Sequence, residues 1–548
     1  MSESTYDAEK LDQIITYLRN HEKRISWIES HLSFDHDAVE ENNFHLALPT
    51  NNISEKADTL ENQIGQFWFA KTGIVIFAIG IIFLMTFPYK NLPPFVPSLI
   101  GYCLCGAIFV LANHWKQSLH FISQYIFGGG LLLLYFSTLR LHYFSPSPVI
   151  ESDSLILLLL LTDSIGHIII SYLRKSYYLM SSGFILLSVS VLIGNDNWMI
   201  FSALVIISAF SVYLKTKLNW DSLNSFSIIL VYLVHLIWFL GNPLSGNTLA
   251  LQNPPLLNIY FLLVYLSIFA AGNISGERGS EESVNTVLNS LINSVFCFLL
   301  VMLISLTRFK NATAVTELVC SLVFLTISAL YYEKRKSKYS TFFYAIIGYS
   351  ALTISIVNTF PKPDYFVWLG WQSIIVVATA LWFRSKIIIV ANFVMYLLIF
   401  FSYLVLEDKI GITSLTFGAV ALISARILNW QRDRLDLKTD SMRLAYLGSA
   451  FFIFPYALYN IVPKDYVALS WTAVAISYYV ISVILKNKKY RWLALMTFLL
   501  TVFYVLFVGT TNLDPSYRIV SFMFLGIVLL AVSIYYAKKK KGSDLQNN

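Results

Sequence analysis

Charge is scarce in this chain. Asp, Glu, Lys and Arg make up 13% of its 548 residues, against about 25% in ordinary soluble domains. Cysteine is scarcer: Cys103, Cys105, Cys297 and Cys320 all fall inside apolar stretches, so each is read as a small hydrophobe and no disulfide framework is expected. Cys103-Leu104-Cys105 has no His or third Cys nearby, so no metal is expected there. The sequence lacks a phosphate-loop lysine motif, an H-E-x-x-H pair, a Ser-His-Asp order and paired carboxylates, so no catalytic residue and no cofactor are expected. Long polar regions between the apolar stretches are missing as well. Between apolar stretches the loops average about 6 or 7 residues, too few for a catalytic domain outside a membrane.

What is abundant is apolar sequence. Hydrophobic residues reach 56%, with 33 Tyr and 41 Phe, and mean hydropathy is +0.63. The aromatics are assigned to interfacial belts and helix packing. The pattern predicts an all-α, polytopic integral membrane protein with about 18 spans of roughly 20 residues. The first runs to about Phe87 and stops at Pro88. Others are expected near 95–112, 119–141, 154–173, 177–193, 197–214, 223–240, 255–272, 284–306, 313–332, 340–358, 366–383, 387–405, 411–429, 442–461, 466–485, 491–508 and 517–537. Counted on alternate loops, Lys and Arg divide 25 to 8. A miscounted helix would swap every later loop, so the bias supports the count and puts the basic loops and both termini in the cytoplasm.

Residues 1–63 carry 13 acidic and 5 basic side chains, which leaves the basic excess in the membrane part. The partner expected for that excess is the anionic lipid surface; nucleic acid is not expected. Within residues 1–33, Leu11, Ile14, Leu18, His21, Ile25, Ile28 and Leu32 trace a heptad seam, read as a short cytoplasmic coiled coil that forms a homo-oligomer or docks a partner, or as an amphipathic helix on the membrane surface. Residues 34–59 form a linker.

Internal repetition refines the organisation. Asn358-Thr-Phe-Pro361-Lys362 opens a Trp-bearing helix that ends at Arg384-Ser-Lys386, and Asn460-Ile-Val-Pro463-Lys464 opens another that ends at Lys486-Asn-Lys488. Two leading spans at 60–117 are therefore expected before four parallel four-helix units at 118–218, 221–338, 339–440 and 441–541, with a polar tail at 542–548.

Ionisable residues inside a membrane are the first place to seek function. Asp163, the central acid of this reading, stands midway along the span 154–173, with His167 four residues on. The pair either shares a proton or holds a ligand, or Asp163 simply bonds a neighbouring helix. His235 is a candidate to join them. Asn289 and Asn293 read as interhelical hydrogen-bond glue, and Arg140 and Arg518, at outer helix ends, as anion binders or snorkelling residues. Gly128-Gly129-Gly130 follows no strand and is assigned to close helix approach.

Three segments carry a family likeness: Leu60-Glu-Asn-Gln-Ile64-Gly65-Gln-Phe-Trp68 with Gly73 and Gly80, Tyr125-Ile-Phe-Gly128-Gly-Gly130 with Tyr135, and Tyr517-Arg518-Ile519-Val-Ser521-Phe522 with Gly526. Together they resemble the bacterial membrane proteins catalogued as domain of unknown function 2339. The resemblance implies an N-terminal coil, many spans and a bacterial cytoplasmic membrane, and it supplies no activity. Members often carry a Lys and an Asp in the penultimate helix, where this chain has Tyr504 and Gly509. The reading reached is a non-enzymatic transporter or lipid-handling protein of unidentified ligand. Its alternatives are a scaffold recruiting partners through the coil and an enzyme acting on lipid-linked substrates.

Overall fold

The computed structural model describes residues 93–507 except 118–119, 145–146, 254–256, 275–281, 408–409, 431–439 and 506, together with isolated positions 80, 83, 87 and 523. The expected coil and linker lie outside the described residues, as do the last span, the polar tail and, apart from those isolated positions, the first span.

Sixteen α-helices occupy the described residues: α1 (Phe95–His114), α2 (His120–Leu139), α3 (Asp153–Leu173), α4 (Tyr177–Gly194), α5 (Asn197–Leu218), α6 (Asp221–Phe239), α7 (Leu257–Ile274), α8 (Val284–Arg308), α9 (Thr313–Arg335), α10 (Tyr339–Thr359), α11 (Asp364–Trp382), α12 (Lys386–Leu406), α13 (Thr413–Trp430), α14 (Asp440–Ile461), α15 (Val467–Ile484) and α16 (Lys488–Tyr504). Thirteen are long and apolar enough to cross a membrane, the organisation of a multi-pass membrane protein. The other three are α2, α13, which holds Arg426 and Asn429 near its end, and α16, which starts Lys488-Lys489-Tyr490-Arg491. In hydrocarbon every backbone donor and acceptor must be satisfied within its own segment, which is why such apolar runs form helices.

The outward faces are apolar. Leu158 is 60% exposed and Val405 83%, a surface suited to lipid and not to water. The interior is unusually rich in Ser, Thr, Asn and Tyr. Ser164, Ser171, Ser188, Ser208 and Ser227 each return their hydroxyl to the carbonyl four residues back, so these buried groups cost little and let helices approach. Gly128 lies against Leu179 of α4 and Gly130 against Phe109 of α1, the close approach expected of that triplet.

Consecutive helices joined on the basic side pack tightly along their length: α1 with α2, α3 with α4, α9 with α10, α11 with α12, α13 with α14, and α15 with α16. Neighbours joined on the opposite side touch much less. Outside α5–α8, where non-consecutive helices pack as closely, the two-helix hairpin closed by a basic turn is thus the packing unit. Five of the described turns take two forms. Lys175 (φ 50°), Arg384 (φ 49°) and Lys486 (φ 48°) are left-handed residues whose N–H groups bond Tyr172, Leu381 and Val483 carbonyls. The next residues, Ser176, Ser385 and Asn487, bond Ser171, Ala380 and Ser482 carbonyls, which completes a Schellman motif at each turn. At the α5–α6 and α9–α10 turns, left-handed Asn219 and Lys336 make a single bond, to the Lys215 and Tyr332 carbonyls. A cation in this conformation costs about 1–2 kcal/mol relative to Gly. In return it sits at a helix C-terminus, where positive charge is favoured. The Schellman form closes the α3–α4, α11–α12 and α15–α16 turns, a spacing in multiples of four helices.

Candidate functional site

Asp163 occupies the middle of α3 and is half-buried between α1 and α2. Thr138 of α2 hydrogen-bonds its side chain, shares a second hydrogen bond with the Tyr102 hydroxyl of α1 at 3.0 Å, and donates to the Leu134 carbonyl. The other carboxyl oxygen, Oδ2, is buried and has no hydrogen-bond partner among the described residues. Close by, the Tyr135 hydroxyl pairs with Ser190 Oγ at 2.9 Å and Ser190 with Ser164 Oγ at 3.2 Å. The acid therefore stands at the end of a short hydroxyl pair, Thr138 and Tyr102, that spans α2 and α1.

His167 does not join it. Four residues advance a helix by about 6 Å and turn it about 40°, and here that is enough to send the two side chains to different neighbours. His167 is buried against α4, its Nε2 paired with Ser182 Oγ at 2.9 Å, and no hydrogen bond or ion pair links it to Asp163 among the described residues. His235 of α6 is elsewhere again. It stacks on Phe201 at 5.1 Å, meets Trp238 and Tyr265 edge-on, and has Asn258 of α7 beside it. Arg140, just past the end of α2, is buried and does not snorkel outward. Arg518 lies outside the described residues.

The asparagine pair divides. Asn293 of α8 is a three-way junction: its Nδ2 donates to the Tyr344 hydroxyl of α10 (2.9 Å) and the Leu266 carbonyl of α7 (3.1 Å), and its Oδ1 accepts from the Tyr232 hydroxyl of α6 (2.8 Å). Asn289, one turn before it, is fully buried with neither amide atom hydrogen-bonded among the described residues.

Sequence reasoning treated Asp163 as the central acid and overlooked Glu317. That residue of α9 is 0% exposed. Its Oε1 accepts from Ser305 of α8 at 2.9 Å, while Oε2 is buried without a partner. It stands one turn into its helix, so by position it resembled a loop-end acid. A second oversight is a cavity of 170 Å³ between α10, α11 and α12, mostly apolar with a few polar groups in its lining. Its amides, Gln372 and Asn392, are as visible in the sequence as Asn289 and Asn293, and the same scan for uncharged polar residues inside spans finds them. Another hollow, 330 Å³ between α7 and α9, is lined mainly by Ala270, Ala271, Leu322, Ile327 and Leu330 and is apolar.

On the basic side, Lys215 of α5 binds Asn273 Oδ1 and stands 3.5 Å from Asp221, while Arg335 of α9 donates to the Asn273 carbonyl at 2.6 Å. These bonds tie the ends of α5, α6, α7 and α9 together. Comparison of the chain with family models, curated proteins and solved structures gave no match.

Proposed function

We propose that the protein is a multi-pass transporter or lipid-handling protein of a bacterial cytoplasmic membrane, with Asp163 as its protonatable group. The observation that carries this reading is the carboxyl of Asp163, midway along α3, with Oδ2 buried and unpartnered and the other end of the group tied through Thr138 to Tyr102. A charge at mid-bilayer costs roughly 2.5–3.5 kcal/mol on insertion scales, so an acid retained at that depth is the first candidate for a functional group. His167, His235, Arg140 and Arg518 are secondary candidates in this reading.

The finer organisation belongs to the same proposal: about 18 spans, both termini cytoplasmic, two leading spans before four parallel four-helix units, and a coil at 1–33 through which the protein self-associates. The Schellman turns spaced by multiples of four helices support the units, and the likeness to domain of unknown function 2339 supports the compartment. Partners are membrane lipids.

Full-length protein in liposomes holding a pH-sensitive dye tests the reading. Under an imposed pH gradient the wild type is expected to pass protons, and Asp163→Asn, folded to the same melting temperature, to lose at least about tenfold of that flux. Equal flux in the two proteins, or none in the wild type, overturns it.

A further inference from the structure

The same asparagine junction is built twice, four helices apart, and the two copies differ at the amide oxygen and by one added serine hydroxyl. In the first, Asn293 of α8 donates to Tyr344 of α10 and to the Leu266 carbonyl of α7. In the second, Asn392 of α12 donates to Tyr446 of α14 (3.0 Å) and, on α11, to Ser373 Oγ (2.9 Å) and the Ser373 carbonyl (3.2 Å). Each element of the second copy is four helices on from its counterpart. The contrast lies at the amide oxygen. Asn293 Oδ1 is capped by the Tyr232 hydroxyl. The matching tyrosine is Tyr349: Tyr232 and Tyr349 each stand thirteen residues beyond the left-handed residue of their own turn, Asn219 and Lys336. Tyr349 turns its hydroxyl to Thr379 instead. No described residue donates to Asn392 Oδ1, and Asn392 lines the 170 Å³ cavity.

The cavity lies at the middle of three spans. Its polar lining is Gln372, Asn392, Ser350, Thr353, Ser373 and the Tyr349 and Tyr396 side chains, and the remainder is Ile, Leu, Val, Ala and Met. Gln372 is fixed by donating to the Tyr349 carbonyl (2.8 Å) and accepting from Thr353 (3.3 Å), so its plane is set before any ligand arrives. Met395, half-exposed on the outer face of α12, marks the way in from the bilayer.

We propose that this cavity binds an uncharged amphiphile that enters from the lipid and presents a hydroxyl or amide hydrogen to Asn392 Oδ1. The lining supplies donors and acceptors and no charge. A carboxylate, phosphate or ammonium group would therefore lose its hydration without gaining a counter-ion. A hydroxyl or amide headgroup replaces the missing tyrosine donor, and the apolar wall receives the alkyl body. The first copy, plugged by Tyr232, has no such opening. The inference is independent of Asp163 and needs no proton transfer.

The test uses purified full-length protein in phosphatidylcholine nanodiscs and two diazirine probes of the same chain length, a fatty alcohol and the corresponding fatty acid, at a pH where the acid is ionised. After photolysis and digestion, the alcohol is expected to label the α10–α12 segments at least about fivefold more than the acid. Asn392→Leu is expected to reduce that labelling about fivefold, the worth of one net hydrogen bond. Met395→Trp, at a position where folding is not at risk, is expected to block the mouth and reduce it similarly. Asp163→Asn is expected to leave it unchanged, so failure here and failure of the proton reading are separable. Equal labelling by alcohol and acid overturns the proposal, as does labelling that Met395→Trp leaves intact. Labelling insensitive to Asn392→Leu in folded protein also overturns it.

Discussion

Two regions of one bundle solve the same packing problem differently. Around α6, α7, α8 and α10, the Asn293 amide is fully satisfied by tyrosine hydroxyls and a backbone carbonyl, and Tyr232, Tyr344 and Leu266 are buried at the junction. Around α10, α11, α12 and α14, Asn392 keeps the tyrosine and carbonyl bonds and adds Ser373 Oγ, but no described residue donates to its amide oxygen, beside the cavity. The tyrosine that would cap that oxygen, Tyr349, pairs with Thr379. A closed junction stabilises and does nothing else. An open one gives up a hydrogen bond and gains a place for a ligand, which is the usual relation between stability and function at a site.

The sharpest way to break this comparison is to delete both amides. Asn293→Leu removes three buried hydrogen bonds, those with the Tyr232 and Tyr344 hydroxyls and the Leu266 carbonyl, and at about 1 kcal/mol each it is expected to cost about 2–3 kcal/mol. Asn392→Leu releases the Tyr446 hydroxyl and Ser373 Oγ beside a cavity that gives them room to re-pair, and about 1 kcal/mol is expected. Thermal melting of full-length protein in one detergent reads both, and equal losses would mean that the two junctions are energetically alike. A finer cut removes only the hydroxyls. Tyr232→Phe uncaps Asn293 Oδ1 in a fully buried setting and is expected to cost about 1 kcal/mol. Tyr349→Phe releases only Thr379, which has the Ile375 and Val376 carbonyls as acceptors, and is expected to stay within about 0.5 kcal/mol. A larger loss at Tyr349 than at Tyr232 would reverse the assignment of closed and open copies.

Much of this architecture can be read from the residues because the bilayer imposes a length and charge imposes a side. The expected span 284–306 is α8 (Val284–Arg308), 387–405 is α12 (Lys386–Leu406), and the basic turns at Arg174-Lys175, Arg384 and Lys486 close tight hairpins. Asn293 was legible for the same reason: an amide in an apolar helix must find a partner, and the nearest are on other helices. The site was less legible. Asp163 and His167 are four apart, but spacing fixes only the side of a helix, and which neighbour meets each depends on how α2 and α4 lie against α3. Glu317 went unseen because depth along a span is judged from the helix start, and one turn in looks shallow. The cavity is a gap between three helices, produced by a rotamer at Tyr349, and no linear pattern encodes it.

The helix shared by both junctions, α10, also offers the gentlest perturbation of them. Its N-terminus is held by Glu282, whose Oε2 accepts from the Tyr339 N–H at 3.3 Å, and whose carboxyl reaches Ser340 as well. Burial pushes the Glu282 carboxyl above its ordinary value, and the bonds from Tyr339 and Ser340 and the nearby Arg335 only partly oppose it. A folded-state value above the unfolded one means that the folded protein holds this proton more tightly. The contribution is therefore fully present below the unfolded value and is lost as pH rises through the folded value. Melting temperature followed upward from mildly acid pH should thus fall slightly as Glu282 ionises, and Glu282→Gln, which cannot ionise, should flatten that part of the profile. The change should be felt equally by the two junctions, because α10 supplies Tyr344 to one and Tyr349 to the other. A profile that is unchanged in Glu282→Gln would place the acid sensitivity elsewhere and leave Glu282 as a cap alone.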